Sequence, residues 1–260
     1  MYFTNISYVV YGLAVAAYLS IGAIHWGLGR RSYALYYFEQ AVSVFIYIAA
    51  LLLIEALLLK VEALLGAPVA DNSVEEALRR ASQIFDTARQ RSLSWILTIA
   101  SLRAALSIVP VTSPLSYVLG SATGWSMSVF NMCAVSFLFY MAFAKVFEEI
   151  HPYLASLGAI MTPIPRLRSI GAAMLSADIV FSTAIIYYSG IVSNTLENIP
   201  SPPSLNPVDW MNIAGMASNA AIPLAQLLVK GVVIMSIASA LSVGFSKALS
   251  GVYFSVKIGA

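Results

Sequence analysis

The chain alternates long apolar runs with short polar breaks. A helix needs about 20 apolar residues to cross the hydrocarbon core of a bilayer. By that measure the pattern predicts about six spans, at 6–28, 33–59, 93–110, 122–145, 169–192 and 222–243. "GRR" at 29–31 closes the first, and a segment beginning near Trp210 leads into the last. One stretch has a different period: "DNSVEEALRRASQIFDTARQRS", 71–92. Val74, Leu78, Ala81, Phe85 and Ala88 follow alternating steps of four and three, which is one apolar stripe of a helix. Ser73 and Glu76 form a capping box, and Glu75–Arg79 and Glu76–Arg80 are i,i+4 pairs in the favourable order. This amphipathic helix reads as a helix docked on the bundle or lying among headgroups, or as a contact helix for a partner protein.

The predicted fold class is therefore an all-α membrane protein, with about six transmembrane helices and one amphipathic cytoplasmic or interfacial helix. The pattern predicts a single polytopic domain over 1–260, multi-pass in the cell membrane. Composition agrees. Apolar residues make up 60% of the chain and charged residues 10%, against about a quarter charged in soluble domains. The N-terminus "MYFTNISYVV" lacks the basic region of a secretory signal, so the first span is expected to be retained.

The distribution of charge predicts orientation, because basic residues near span ends favour the cytoplasm. Arg79, Arg80, Arg89 and Arg91 precede the third span. Lys145, Arg166 and Arg168 lie between the fourth and fifth, and Lys247 and Lys257 follow the sixth. With six spans these share one side, opposite Arg30, Arg31 and the loop 193–210, which has four prolines and two acidic residues. Both termini are then cytoplasmic. Arg30–Arg31 and the sequon Asn5-Ile6-Ser7 favour the alternative, an external N-terminus with an extra crossing. Trp26, Trp95, Trp125 and Trp210 fall near predicted span ends, as in an interfacial aromatic belt.

No enzyme is expected. The chain holds no nucleophile motif, no phosphate loop and no carboxylate pair at acid–base spacing. Cys133 is the single cysteine, and His25 and His151 lack neighbours at ligand spacing, so no catalytic residue, metal site or cofactor is assigned. The informative charges are Arg103, Asp178 and Lys230, inside predicted spans at depths of roughly 15, 13 and 20 Å. Arg103 and Asp178 match best, as a buried ion pair fixing register or as the polar lining of a route. Lys230 has no partner in the sequence and favours an aqueous space. Glu39, Gln40 and Glu55 are boundary residues. Two patterns of small residues, Gly120/Gly124 and Ser236/Ala240/Gly244/Ala248, fit helix packing within one chain or between subunits of a homo-oligomer.

The segment "HPYLASLGAIMTPIPRLRSIGAAMLSADIV", 151–180, adds a resemblance. Its "LGAIMTPIP" approach, the prolyl-basic junction "PRLR" and the "RSIGA" that opens a span resemble the archaeal CedA family of the crenarchaeal DNA-import system. That family is similar to the polytopic inner-membrane subunit of type IV secretion and conjugation machines. Length, span number and the amphipathic insertion also agree. The resemblance implies a pore or scaffold for DNA entering the cell, working with a HerA-type ATPase and a small pilin-like membrane protein. It also implies an external N-terminus, against the charge-based orientation. On this reading Arg79, Arg80, Arg89, Arg91, Arg166 and Arg168 form a basic rim facing DNA or a partner, and Arg103 and Lys230 lie along the route. Two alternatives stand beside it: a small-solute or proton-coupled transporter using Asp178, and a purely structural scaffold.

Overall fold

Two helices open the chain as a hairpin. α1 runs Asn5–Gly27 and α2 runs Arg31–Leu64. Gly29 makes the turn at φ 74°, a left-handed conformation that glycine adopts without penalty. The Arg30 N–H reaches the His25 carbonyl (2.9 Å) and the Gly29 N–H the Trp26 carbonyl (3.0 Å), which closes α1 with a Schellman cap. α2 folds back on α1, where the Phe38 ring fills the space that a side chain at Gly22 would take. His25 stacks on Tyr37 at 5.4 Å.

The computed structural model describes residues 5–64, 74–108, 110–164, 166–203 and 212–251. Among these residues, four further helices follow the hairpin: α3 (Val74–Ile108), α4 (Ser113–Met161), α5 (Arg168–Glu197) and α6 (Ile213–Gly251). No strand occurs among the described residues. Pro165, Ser73, Trp210 and Lys257 lie outside them, as do the side chains of Asn5, Ser7 and Glu55. Among the described residues, four segments are long and apolar enough to cross a membrane: Val9–Gly27, Ser113–Met161, Arg168–Glu197 and Ile213–Ser250. The protein is an all-α membrane protein.

Two elements differ from their predicted form. The amphipathic segment and the span at 93–110 are one helix of 35 residues, α3. Nothing between them breaks it, since α3 contains neither glycine nor proline. Its stripe continues unbroken through Leu78, Ala81, Phe85, Ala88, Ser92, Trp95, Ile99 and Leu102, all buried. α4 has 49 residues, which at about 1.5 Å each is longer than the hydrocarbon is thick. It runs on well past the predicted span end at 145.

The chain divides into two compact units. Unit 1 comprises Met1–Ala77, Phe147–Ala184 and Met235–Ala260; unit 2 comprises Leu78–Val146 and Ile185–Ile234. In unit 2, Phe85 of α3 packs on Tyr140 of α4 (5.7 Å) and Tyr188 of α5 (5.5 Å). The Tyr188 hydroxyl donates to the Leu227 carbonyl of α6 at 2.9 Å. Gly231 leaves room for both tyrosine hydroxyls; a Cβ there would stand 2.6 Å from Tyr188 Oη. Trp95 stacks on Phe130 at 5.6 Å and is fully buried, so it is a core residue rather than part of an aromatic belt.

In unit 1, the end of α4 crosses the start of α5 at two glycines. A Cβ on Gly171 would stand 2.7 Å from the Thr162 nitrogen, and one on Gly158 would stand 2.7 Å from Leu175 Cγ. Backbones approach this closely only without side chains between them. The predicted packing row Ser236/Ala240/Gly244/Ala248 is exposed on α6, so it does not serve packing within the described fold.

Candidate functional site

The prolyl-basic junction is a pinned break in unit 1. Pro163 has no N–H to continue α4, which ends at Met161. The carbonyls left without helix partners find side-chain donors. The Tyr18 hydroxyl donates to the Pro163 carbonyl at 2.6 Å, and Arg168 Nε to the Thr162 carbonyl at 3.4 Å. Arg168 Nη2 also donates to Gln40 Oε1 at 2.9 Å. One arginine thereby ties the break to α2. Arg168 is 7% exposed, so it is a buried brace and not part of a basic rim. Gln40 is its partner rather than a residue at a water boundary. Arg166, two positions earlier, is exposed. Tyr18 is the middle residue of the apolar segment Val9–Gly27. The break therefore meets α1 half-way along, where a cytoplasmic edge was expected. Irregular backbone is tolerated at membrane depth when protein groups satisfy it.

A second polar cluster lies further along the same two helices. His151 Nδ1 is 2.7 Å from Asp178 Oδ1, and both side chains are buried. This overturns the pairing of Asp178 with Arg103. The span at 122–145 was expected to end before His151; because α4 continues to Met161, His151 is carried onto α5 beside Asp178. The sequence signal was there only in part, as a lone histidine past a predicted span end. Ser182, one turn beyond Asp178 on α5, is buried with no partner for its hydroxyl among the described residues.

Arg103 and Lys230 belong to unit 2, and neither is buried. Lys230 is exposed on α6 rather than enclosed within unit 2. Arg103 is exposed on α3, with its guanidinium lying against α4 at Gly120. The three lining candidates thus have separate surroundings: one buried beside a histidine, and two on the surface.

The basic residues of α3 form the remaining polar feature. With the stripe buried, Arg79, Arg80, Gln83, Thr87 and Gln90 are exposed on the outer side of the helix. From Leu93 onward that outer side turns apolar, through Leu97 at 67% exposure. Arg89 is half-buried in an ion pair with Asp86 at 3.0 Å. Arg91 donates to the Ser201 hydroxyl, and Trp95 Nε1 donates to the Pro200 carbonyl at 3.2 Å. These bonds correct the predicted orientation, which put the acidic proline loop and the α3 arginines on opposite faces. Because α3 is continuous and runs parallel to α5 in unit 2, the two lie side by side.

No protein-family model, curated protein or solved structure matches the chain. Its own surfaces carry the chemistry. Among the described residues no cluster of three His, Cys, Asp or Glu is placed to hold a metal ion. The arrangement offers a polar, arginine-bearing helix face for phosphate or water, and a buried imidazole–carboxylate pair able to hold a proton.

Proposed function

We propose that the protein is an integral component of a DNA-import apparatus in the cell membrane, forming or scaffolding the route for DNA. The observation that carries this reading is the outer face of α3. Its apolar stripe is buried against α4 and α5, and Arg79, Arg80, Gln83, Thr87 and Gln90 stay exposed beside those apolar helices. Such a face needs water or a charged ligand along its length. Exposed guanidinium groups bind backbone phosphate without reading bases, so passage is independent of sequence and weakens with salt. The resemblance of 151–180 to the CedA family supports the same reading. It also supplies the proposed partners, a HerA-type ATPase to drive transport and a small pilin-like membrane protein.

The test is charge reversal on the face. In cells carrying Arg79→Glu with Arg80→Glu, DNA uptake should fall about tenfold or more while membrane insertion is unchanged. Normal uptake in that double variant would remove the role assigned to the face.

One observation favours a second reading, a proton-coupled transporter. His151 and Asp178 pair at 2.7 Å in a buried setting, and ionisable pairs within membrane helices often mark proton relays. Liposomes containing the protein would then carry a proton flux that Asp178→Asn abolishes. On the DNA-import reading the same liposomes show no flux that depends on Asp178.

A further inference from the structure

The turn between α3 and α4 is an apolar tip with little protein cover. Ile108, Val111 and Tyr117 are 79%, 86% and 79% exposed, and Leu115 and Val118 are exposed beside them. Arg103 lies five residues before the end of α3 at Ile108, about 7–8 Å along the axis. It is exposed, and no carboxylate among the described residues pairs with it.

The Arg103 guanidinium lies against α4 at Gly120, where an added Cβ would stand 2.7 Å from Nη2 and 2.9 Å from Cζ. The Ser116 hydroxyl donates to the Arg103 carbonyl at 3.1 Å and holds the two helices level there. The missing side chain at position 120 thus forms a shelf for the planar group. A guanidinium among apolar side chains is stable where it meets water or an anion. A planar fork fits phosphate with two parallel hydrogen bonds. Tyr117 and Trp125, exposed nearby on α4, are residue types that favour the headgroup level of a bilayer.

We propose that Arg103, shelved on Gly120, binds the phosphate of an anionic lipid headgroup at the α3–α4 end of the membrane helices. The site is independent of the DNA-import reading and fixes the height of the α3–α4 turn at the boundary between headgroups and hydrocarbon. Lipid is favoured over nucleic acid because Arg103 is a single cation there, and the tip beside it exposes Ile108, Val111, Leu115, Tyr117 and Val118 with no second basic residue.

Native mass spectrometry of the full-length protein in mild detergent tests this, with dioleoylphosphatidylglycerol and dioleoylphosphatidylcholine as probes. Wild type should retain the anionic lipid in preference to the zwitterionic one. Arg103→Ala should reduce that preference about fivefold, the effect expected of one arginine at a charged surface. Arg103→Lys should keep part of it, and Gly120→Leu, which fills the shelf, should lose it with Arg103 still present. All variants should keep the wild-type elution volume, because Arg103 is exposed and a side chain at Gly120 first meets that guanidinium. An unchanged preference in Arg103→Ala would overturn the site. Displacement of phosphatidylglycerol by a short single-stranded oligonucleotide at equal phosphate concentration would also overturn it, assigning the position to nucleic acid.

Discussion

Arg166 and Arg168 are two positions apart and have opposite surroundings. Arg166 is exposed, and Arg168 is buried with its donors on Thr162 and Gln40. Removing a donor from a buried acceptor leaves that acceptor unsatisfied, at about 1–3 kcal/mol each. Arg168→Ala should therefore lower the thermal midpoint of the purified protein clearly, while Arg166→Ala should leave it within error. Equal midpoints for the two variants would contradict the brace. Both residues were visible in the sequence as a basic pair at a helix break, but their division of labour was not. Helix phase decides it, and phase is lost across a proline turn. Asp178 was legible in the same partial way. Its position on α5 marked it as costly, but its partner depended on how far α4 extends, and no residue between 145 and 161 signals that α4 continues. Pro152 within that stretch would ordinarily argue for an earlier end.

At the scale of elements, the glycines at the α4–α5 crossing limit how the break can be built. Gly171→Ala puts a Cβ 2.7 Å from a backbone nitrogen, which cannot move aside as a flexible side chain could. Overpacking of this kind costs about 1–3 kcal/mol. Gly190, on the same helix, has nothing within 4 Å of an added Cβ. Alanine there should be neutral or slightly stabilising, since it is the better helix former by about 1 kcal/mol. Thermal denaturation of the two single variants in detergent should separate them, and equal midpoints would argue against the close crossing. The apolar stripe of α3 shows what periodicity could reveal. Positions 74 to 88 were read correctly as one face, because steps of three and four persist whatever covers them. The division at 93 followed the change from charged to apolar residues, which alters what surrounds a helix without breaking it. Trp95 is buried against Phe130.

For the whole molecule, fold class followed from hydrophobic run length, and orientation did not. Counting basic residues placed α3 and the loop after α5 on opposite sides, yet Arg91 and Trp95 hydrogen-bond to that loop at Ser201 and Pro200. The rule of positive charge assumes that each apolar run is one crossing. It loses its footing when α4 alone has 49 residues and α3 joins a charged half to an apolar half. The central claim is that the outer face of α3 meets DNA. The most direct test is photo-crosslinking in cells during active DNA uptake, from a benzophenone amino acid placed at position 80. Position 97, on the apolar continuation of the same helix, serves as control. The account predicts DNA adducts from position 80 and none from position 97. Uptake that proceeds with no adduct at position 80 would contradict it.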